Sequence, residues 1–162
     1  MMLVANVKEG CFTTNKHLDA LKKYAKDLKI PVVPICASLE AQLVDFNESE
    51  RVEFLMESGI AEPGLNIFIR EAFKLLGLHT FFTAGPKEVR AWTIKKEATA
   101  PKAAGEIHSD FERGFIRADV VSYEDFINCG SEIHAKETGK LRSEGKDYIV
   151  QDGDIVHFKF NV

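Results

Sequence analysis

An α/β unit followed by a smaller α+β unit is the fold class this sequence predicts, and three observations predict it. The first 36 residues read strand, helix, strand, which is a βαβ unit with parallel, adjacent strands. After Gly77 the texture changes to short strands bounded by turn residues. Those strands are interrupted by a helix and then resume, an α+β arrangement and not a continuation of the βαβ series. The boundary falls near Leu78.

The elements follow in order. Leu3-Val4-Ala5-Asn6-Val7 is short and apolar and reads as a buried strand. From about Asn15 to Leu28, the residues Leu18, Leu21, Tyr24, Ala25 and Leu28 recur at helical spacing with lysines on the other face. Pro31 to Cys36 reads as a second buried strand. Asn47, with Glu50 three residues later, predicts a capping box and a helix. A further helix is expected from Pro63 to Leu76, with Leu65, Phe68, Ile69, Ala72, Phe73 and Leu76 on one face and Gly77 as its stop.

In the second unit, Thr80–Thr83 and Val89–Ile94 flank Gly85-Pro86 and predict a hairpin. Pro101 opens a helix ending near His108, since proline is tolerated in a first helical turn. Phe115 to Ser122 reads as a strand. Tyr148-Ile149-Val150 and Ile155–Phe160 flank Asp152-Gly153, which predicts a second hairpin. In its last strand Val156, Phe158 and Phe160 alternate with His157 and Lys159, so one face is expected buried and the other wet.

Bulk properties exclude several classes. Hydrophobic residues make up 45% and charged residues 28% of the 162, as in a folded globular protein. The net charge of −4 divides equally between residues 1–78 and 79–162, so no global basic field points to nucleic acid. Cys11, Cys36 and Cys129 are an odd number at wide spacing, which fits free thiols better than a disulfide framework. No apolar run approaches the ~20 residues that span a bilayer, and no charged-then-apolar leader is seen, so a cytoplasmic protein without membrane partners is expected.

Asn6-Val7-Lys8-Glu9 stands at the carboxyl end of the first strand, where α/β folds bind ligands. The Asn amide offers a donor and an acceptor, which suits a purine edge. Cys36-Ala37-Ser38-Leu39-Glu40 follows the second strand as a loop that could back the base. Other chemistry is weaker. His108 with Asp110, or His134 with His157 and Cys129, match no zinc spacing, and surface or hydrogen-bonded roles suit them better. Trp92, Phe81 and Phe82 could stack bases, yet core packing is the better reading among twelve phenylalanines. Lys95, Lys96 and Lys102 form one local basic cluster, and Lys136, Lys140, Arg142 and Lys146 another. Solvated faces are the simpler reading of both.

The two strand ends, together with Phe82-Thr83-Ala84-Gly85-Pro86-Lys87-Glu88-Val89-Arg90-Ala91-Trp92-Thr93-Ile94, Ile107–Ala118 and Glu144–Asp154, resemble the YchF branch of the Obg-like GTPase superfamily, the Obg-like ATPases. The likeness runs in order along essentially the whole chain. It implies that residues 1–77 are the C-terminal part of a P-loop nucleotide-binding domain. It implies equally that residues 78–162 are a TGS domain, an α+β β-grasp module. By position, Asn6 would bond the adenine edge, Val7 would lie against the base through its backbone, and Cys36, Ala37 and Ser38 would match the last base-side loop. Glu9 stands where an Asp would enforce guanine selection, a change associated with ATP in place of strict GTP. The resemblance also raises RNA or ribosome contact at Lys95, Lys96, Lys102, Lys136, Lys140, Arg142 and Lys146.

A phosphate loop needs glycines presenting N–H groups, a Lys, and a Ser or Thr for Mg²⁺. Gly139-Lys140-Leu141 and Gly145-Lys146-Asp147 lack both the upstream glycine and the hydroxyl. The expectation is a C-terminal portion of a YchF-like protein, inactive alone, with no catalytic residue, no metal site and no cofactor of its own. ATP or GTP with Mg²⁺ would belong to the intact protein. A protein–protein interaction module on the β-grasp sheet is the alternative. The first strand should also leave an unpaired sheet edge, which favours self-association.

Overall fold

The computed structural model describes residues 1–85 and 88–161. The chain divides into two compact units, Met1–Leu76 and Gly77–Val162.

In the first unit, β1 (Leu3–Asn6) and β2 (Val32–Ile35) pair in parallel from Leu3↔Val32 to Asn6↔Ile35. The crossover helix α1 (Lys16–Asp27) starts at Asn15, whose side chain accepts the N–H groups of His17 and Leu18. That cap satisfies two donors the first helical turn leaves free. α1 buries Leu18 and Ala25, whereas Tyr24 and Leu28 of the expected stripe stay exposed. β1 alternates between half-buried and exposed residues and is not the fully buried strand expected. Within the described residues its sheet has two strands, so β1 has a neighbour on one side alone.

α2 (Ala37–Leu43) follows β2 directly. The loop expected at Cys36–Glu40 is therefore a helix, with Leu39 and Leu43 buried one turn apart. α3 (Glu48–Glu57) carries the expected capping box, Asn47 bonding Glu50 N–H and Glu50 bonding Asn47 N–H. Leu39, Leu43, Leu55 and Cys36 form the core of this unit, with Phe12, Phe46, Phe54 and Ile60 against it. α4 (Gly64–Leu76) packs on β2, yet Leu65, Phe68, Ile69 and Leu76 remain exposed. Helical spacing dictates a helix, but burial of its stripe requires a facing surface, and the described residues do not cover it.

In the second unit, β3 (Leu78–Ala84) and β4 (Val89–Lys95) form the expected antiparallel hairpin. Of the turn expected there, Pro86 lies outside the described residues, as does Lys87. β5 (Phe115–Ser122), β6 (Arg142–Glu144) and β7 (Asp154–Phe160) complete a mixed sheet of order β4-β3-β7-β5-β6. β7 runs parallel to β3 and antiparallel to β5. α5 (Ala100–Ile107) has Pro101 in its first turn and buries Ala100, Ala103 and Ala104 completely. Three methyl-sized side chains let the helix axis approach the sheet closely enough to seal Phe81, Ile94, Val120, Val156 and Phe158 beneath it. α6 (Ser109–Arg113), α7 (Tyr123–Cys129), α8 (Glu132–Glu137) and β6 were not expected from periodicity, because each is too short to show one.

The second expected hairpin does not form. The Tyr148 carbonyl accepts the Ala100 N–H, the Val150 N–H donates to the Ala98 carbonyl, and Ile149 bridges Thr99. Asp152-Gly153 does turn the chain, with Gly153 at φ 84°, but the turn docks on β3. The Thr80 N–H donates to Asp152 Oδ1 at 2.7 Å, and the Gly153 N–H donates to the Thr80 carbonyl at 2.8 Å. In β7, Val156 and Phe158 are buried and His157 is exposed as the alternation required, while Phe160 is 38% exposed and stacks on Phe111.

Candidate nucleotide-base corner

The carboxyl ends of β1 and β2 lie side by side, since Asn6 pairs with Ile35. The ladder continues one residue further through the Val7 N–H, which donates to the Ile35 carbonyl at 2.8 Å. This brings Asn6 against the first turn of α2, where its Oδ1 accepts the Ala37 N–H at 3.1 Å. That bond orients the amide, because a reversed amide would set donor against donor. The Asn6 NH₂ then points away from Ala37, on an exposed residue.

Of the six residues expected at the base, the structure brings Asn6, Cys36, Ala37 and Ser38 together. Cys36 is buried as the N-cap of α2, with its Sγ 3.2 Å from the Ser38 hydroxyl. Ala37 and Ser38 are exposed. Val7 is 8% exposed, so its side chain belongs to the interior of the unit. Glu9 is exposed in a tight turn closed by the Cys11 N–H on the Lys8 carbonyl.

Sequence reasoning missed Glu40. Its Oε1 accepts the N–H of Gly64, the first residue of α4, at 2.6 Å. A carboxylate at a helix start is favourable both as acceptor and against the helix dipole. Glu40 thus ties α2 to α4 behind the corner. A Cβ on Gly64 would stand 2.9 Å from Ile35 Cγ2 and 3.0 Å from Glu40 Oε1, so the glycine permits this approach. No local signal announces this contact, because its two partners lie 24 residues apart in the chain.

The basic clusters are neutralised only in part. Lys102 pairs with Glu112 at 2.5 Å and Lys140 with Asp125 at 3.1 Å. The Lys140 ammonium and the Ser122 hydroxyl hold the Asp125 carboxyl below its ordinary range. Arg142 bonds the Tyr148 hydroxyl and lies 3.8 Å from Asp154. Among the described residues Lys95, Lys96, Lys136 and Lys146 have no ion-pair partner.

Phe81 is fully buried, and Trp92 stacks on it with its Nε1–H on Thr83 Oγ1 at 2.9 Å. The Arg90 guanidinium sits 4.2 Å from the Trp92 ring centre. His108 Nδ1 accepts the Asp110 N–H as a helix cap. Among the described residues no three His, Cys, Asp or Glu side chains group as metal ligands, and no helix is long and apolar enough to cross a membrane.

Comparison with known proteins places this geometry in a family. Residues 78–161 match the family YchF-GTPase_C, described as a protein of unknown function (DUF933). The chain is 56% identical over 161 residues to the "Ribosome-binding ATPase YchF" of Haemophilus ducreyi, covering 99% of this chain and 44% of that protein. Against the protein of the same name from Bacillus subtilis it is 48% identical over 165 residues, covering 100% and 45%. The chain therefore spans less than half the length of the curated relatives it matches. The solved "Structure of the Schizosaccharomyces pombe YchF GTPase" superposes with a TM-score of 0.86 at 33% identity, over 98% of this chain and 43% of that one. A Pyrococcus horikoshii GTP binding protein shares the fold at TM-score 0.68 and 21% identity, over 99% of this chain and 46% of that one. This chain belongs to the YchF family.

Proposed function

We propose that this chain supplies the base-recognition corner of a YchF-type nucleotide site, together with a TGS-type β-grasp unit that engages the ribosome or RNA. The Asn6–Ala37 bond carries the first half of the reading. With Oδ1 held by Ala37, the Asn6 NH₂ is presented as a donor, and the second Oδ1 lone pair remains as an acceptor. That donor and acceptor match the N7 and N6 amino group of adenine, the edge to which Asn pairs bidentately. Guanine offers two acceptors on the same edge, so one arm of the amide would be unmatched. Ser38 backs the base from α2 and Glu9 takes the position of a guanine-selecting Asp. The phosphates and Mg²⁺ are assigned to no residue of this chain.

The ribosome part rests on the printed names of the relatives, and the mixed sheet with α5 across one face supports the β-grasp reading. Lys95, Lys96, Lys136 and Lys146 are its contacts, since Lys102, Lys140 and Arg142 are engaged within the fold. A ribosome partner also supports a cytoplasmic location.

Titrating ATP into ¹⁵N-labelled protein while following the Asn6 side-chain amide and the Ala37 and Ser38 amides tests the corner. Shifts at millimolar ATP that exceed those with GTP are expected. Silence of all three at that concentration ends the nucleotide reading. For the RNA reading, binding should weaken steeply with salt and on charge reversal at Lys95 and Lys96.

A second reading, a protein-interaction module, is favoured by an open apolar groove of about 630 Å³ in the second unit. Phe82, Val89, Tyr123, Phe126, Ile127 and Ile133 line it. A protein bound there would be displaced by Ile133→Glu, whereas nucleotide shifts at Asn6 would be untouched.

A further inference from the structure

The edge strand β4 carries a pairing code that its hairpin partner leaves unused. The Lys96 N–H donates to the Gly77 carbonyl and the Gly85 N–H to the Glu88 carbonyl. These bonds flank a register in which Leu78 faces Lys95 and Ala84 faces Val89. Hydrogen-bonded pairs alternate with non-bonded ones in an antiparallel ladder. The bonded pairs are therefore His79–Ile94, Phe81–Trp92 and Thr83–Arg90. The backbone groups of Arg90, Trp92 and Ile94 point into the sheet, and those of Val89, Ala91, Thr93 and Lys95 point outward. β4 is the outermost strand of its sheet, so those outward groups have no strand partner among the described residues.

We propose that a second copy of this chain pairs antiparallel along β4, edge to edge about a two-fold axis at Trp92. The charges select this register. With Trp92 opposite its own copy, Glu88 faces Lys96 of the other chain twice, and Arg90 faces Ile94. Shifting the axis to Thr93 sets Arg90 against Lys96, two like charges. Shifting it to Ala91 leaves Glu88 opposite Ile94 and both lysines beyond the ladder. Charged residues usually keep edge strands apart, but here they meet opposite charges in one register. The outward groups of Val89 and Lys95 exchange bonds across the axis, as do those of Ala91 and Thr93. Trp92 meets its own copy in a non-bonded pair, the closer of the two spacings, where aromatic pairs stabilise sheets. Val89, Arg90, Ala91, Thr93 and Lys95 are all exposed along this edge.

Sedimentation of the whole chain from about 1 µM to about 1 mM reads the equilibrium. Ala91→Pro removes an N–H that points outward and breaks no bond to β3, a place where edge strands tolerate proline. It should raise the dimer dissociation constant at least about tenfold, since each dimer loses two ladder bonds, while Ala91→Thr leaves it unchanged. Circular dichroism reports whether the proline variant keeps its fold. Charge reversal keeps the test independent of that outcome: Glu88→Lys alone and Lys96→Glu alone should each weaken the dimer, and the two together should restore it. A chain that sediments as a monomer throughout overturns the proposal. So does a dimer indifferent to both charge reversals, because it must then use another surface, such as the open edge of β1.

Discussion

The Tyr148 hydroxyl donates to Asp154 Oδ2 at 2.7 Å, and Asp154 is the one buried charged side chain among the described residues. The Gln151 N–H reaches the same oxygen at 2.8 Å, so the carboxylate that opens β7 is held by two donors. Burial, then the hydrogen bond to Asp154 and its negative charge, push the Tyr148 hydroxyl up to about 12 from its ordinary 10. A raised acid favours the folded state while protonated. Its contribution is complete below pH 10 and is lost as the pH rises through about 12. Tyr148→Phe should destabilise the second unit by about 1–3 kcal/mol near neutral pH, because Asp154 loses a donor. Urea unfolding from pH 8 to 12 should show the gap between the two proteins closing at the alkaline end.

Removing the Glu40 carboxylate that ties α2 to α4 should loosen α4. Glu40→Ala leaves the Gly64 N–H without its 2.6 Å acceptor, at a cost of about 1–2 kcal/mol, as for a lost N-cap. Gly64→Ala should cost as much or more, since its methyl meets Ile35 Cγ2. Amide exchange in α4 reads both variants, and protection equal to the parent's would contradict the assignment.

Phe81 is the largest fully buried side chain, packed between Trp92 and Phe158. Phe81→Ala should destabilise the second unit by about 3–5 kcal/mol. Phe82→Ala, at a half-buried neighbour on the other face of β3, should cost distinctly less. Equal losses in urea melts would show that the sheet faces are wrongly assigned.

Protection from amide exchange should differ between the units. Among the described residues, 1–77 rest on a two-stranded sheet with an uncovered α4 stripe, and the second unit on five strands sealed by α5. Slower exchange is expected throughout β3, β5 and β7 than in β1 and β2. Uniform protection in a monomer would refute this.

Local chemistry was readable from the residues themselves. Asn15 and Asn47 start helices because their side chains accept the N–H groups that first turns orphan, a relation spanning three residues. The β1–α1–β2 crossover and the β3–β4 hairpin were equally legible, since their pairing needs only neighbouring segments. Short helices such as α2 were not: Ala37–Leu43 makes two turns, and Leu39 and Leu43 alone do not distinguish helix from loop.

What tertiary structure alone decided concerns partners distant in the chain. Asp152-Gly153 is a turn by composition, but whether it closes a hairpin or docks on Thr80 depends on a strand 72 residues away. The helical stripe of α4 determined a helix and left its burial open, because burial belongs to the facing surface and not to the spacing. The basic clusters carried charge in the sequence, yet Glu112, Asp125 and Asp154 decide which of those charges are neutralised. Where β1 meets α2 the sequence by itself determined Asn6, Ala37 and Ser38 as residue types at two strand ends. The bond that aims the Asn6 amide exists because the parallel register sets Asn6 beside Ile35, a residue distant in the chain.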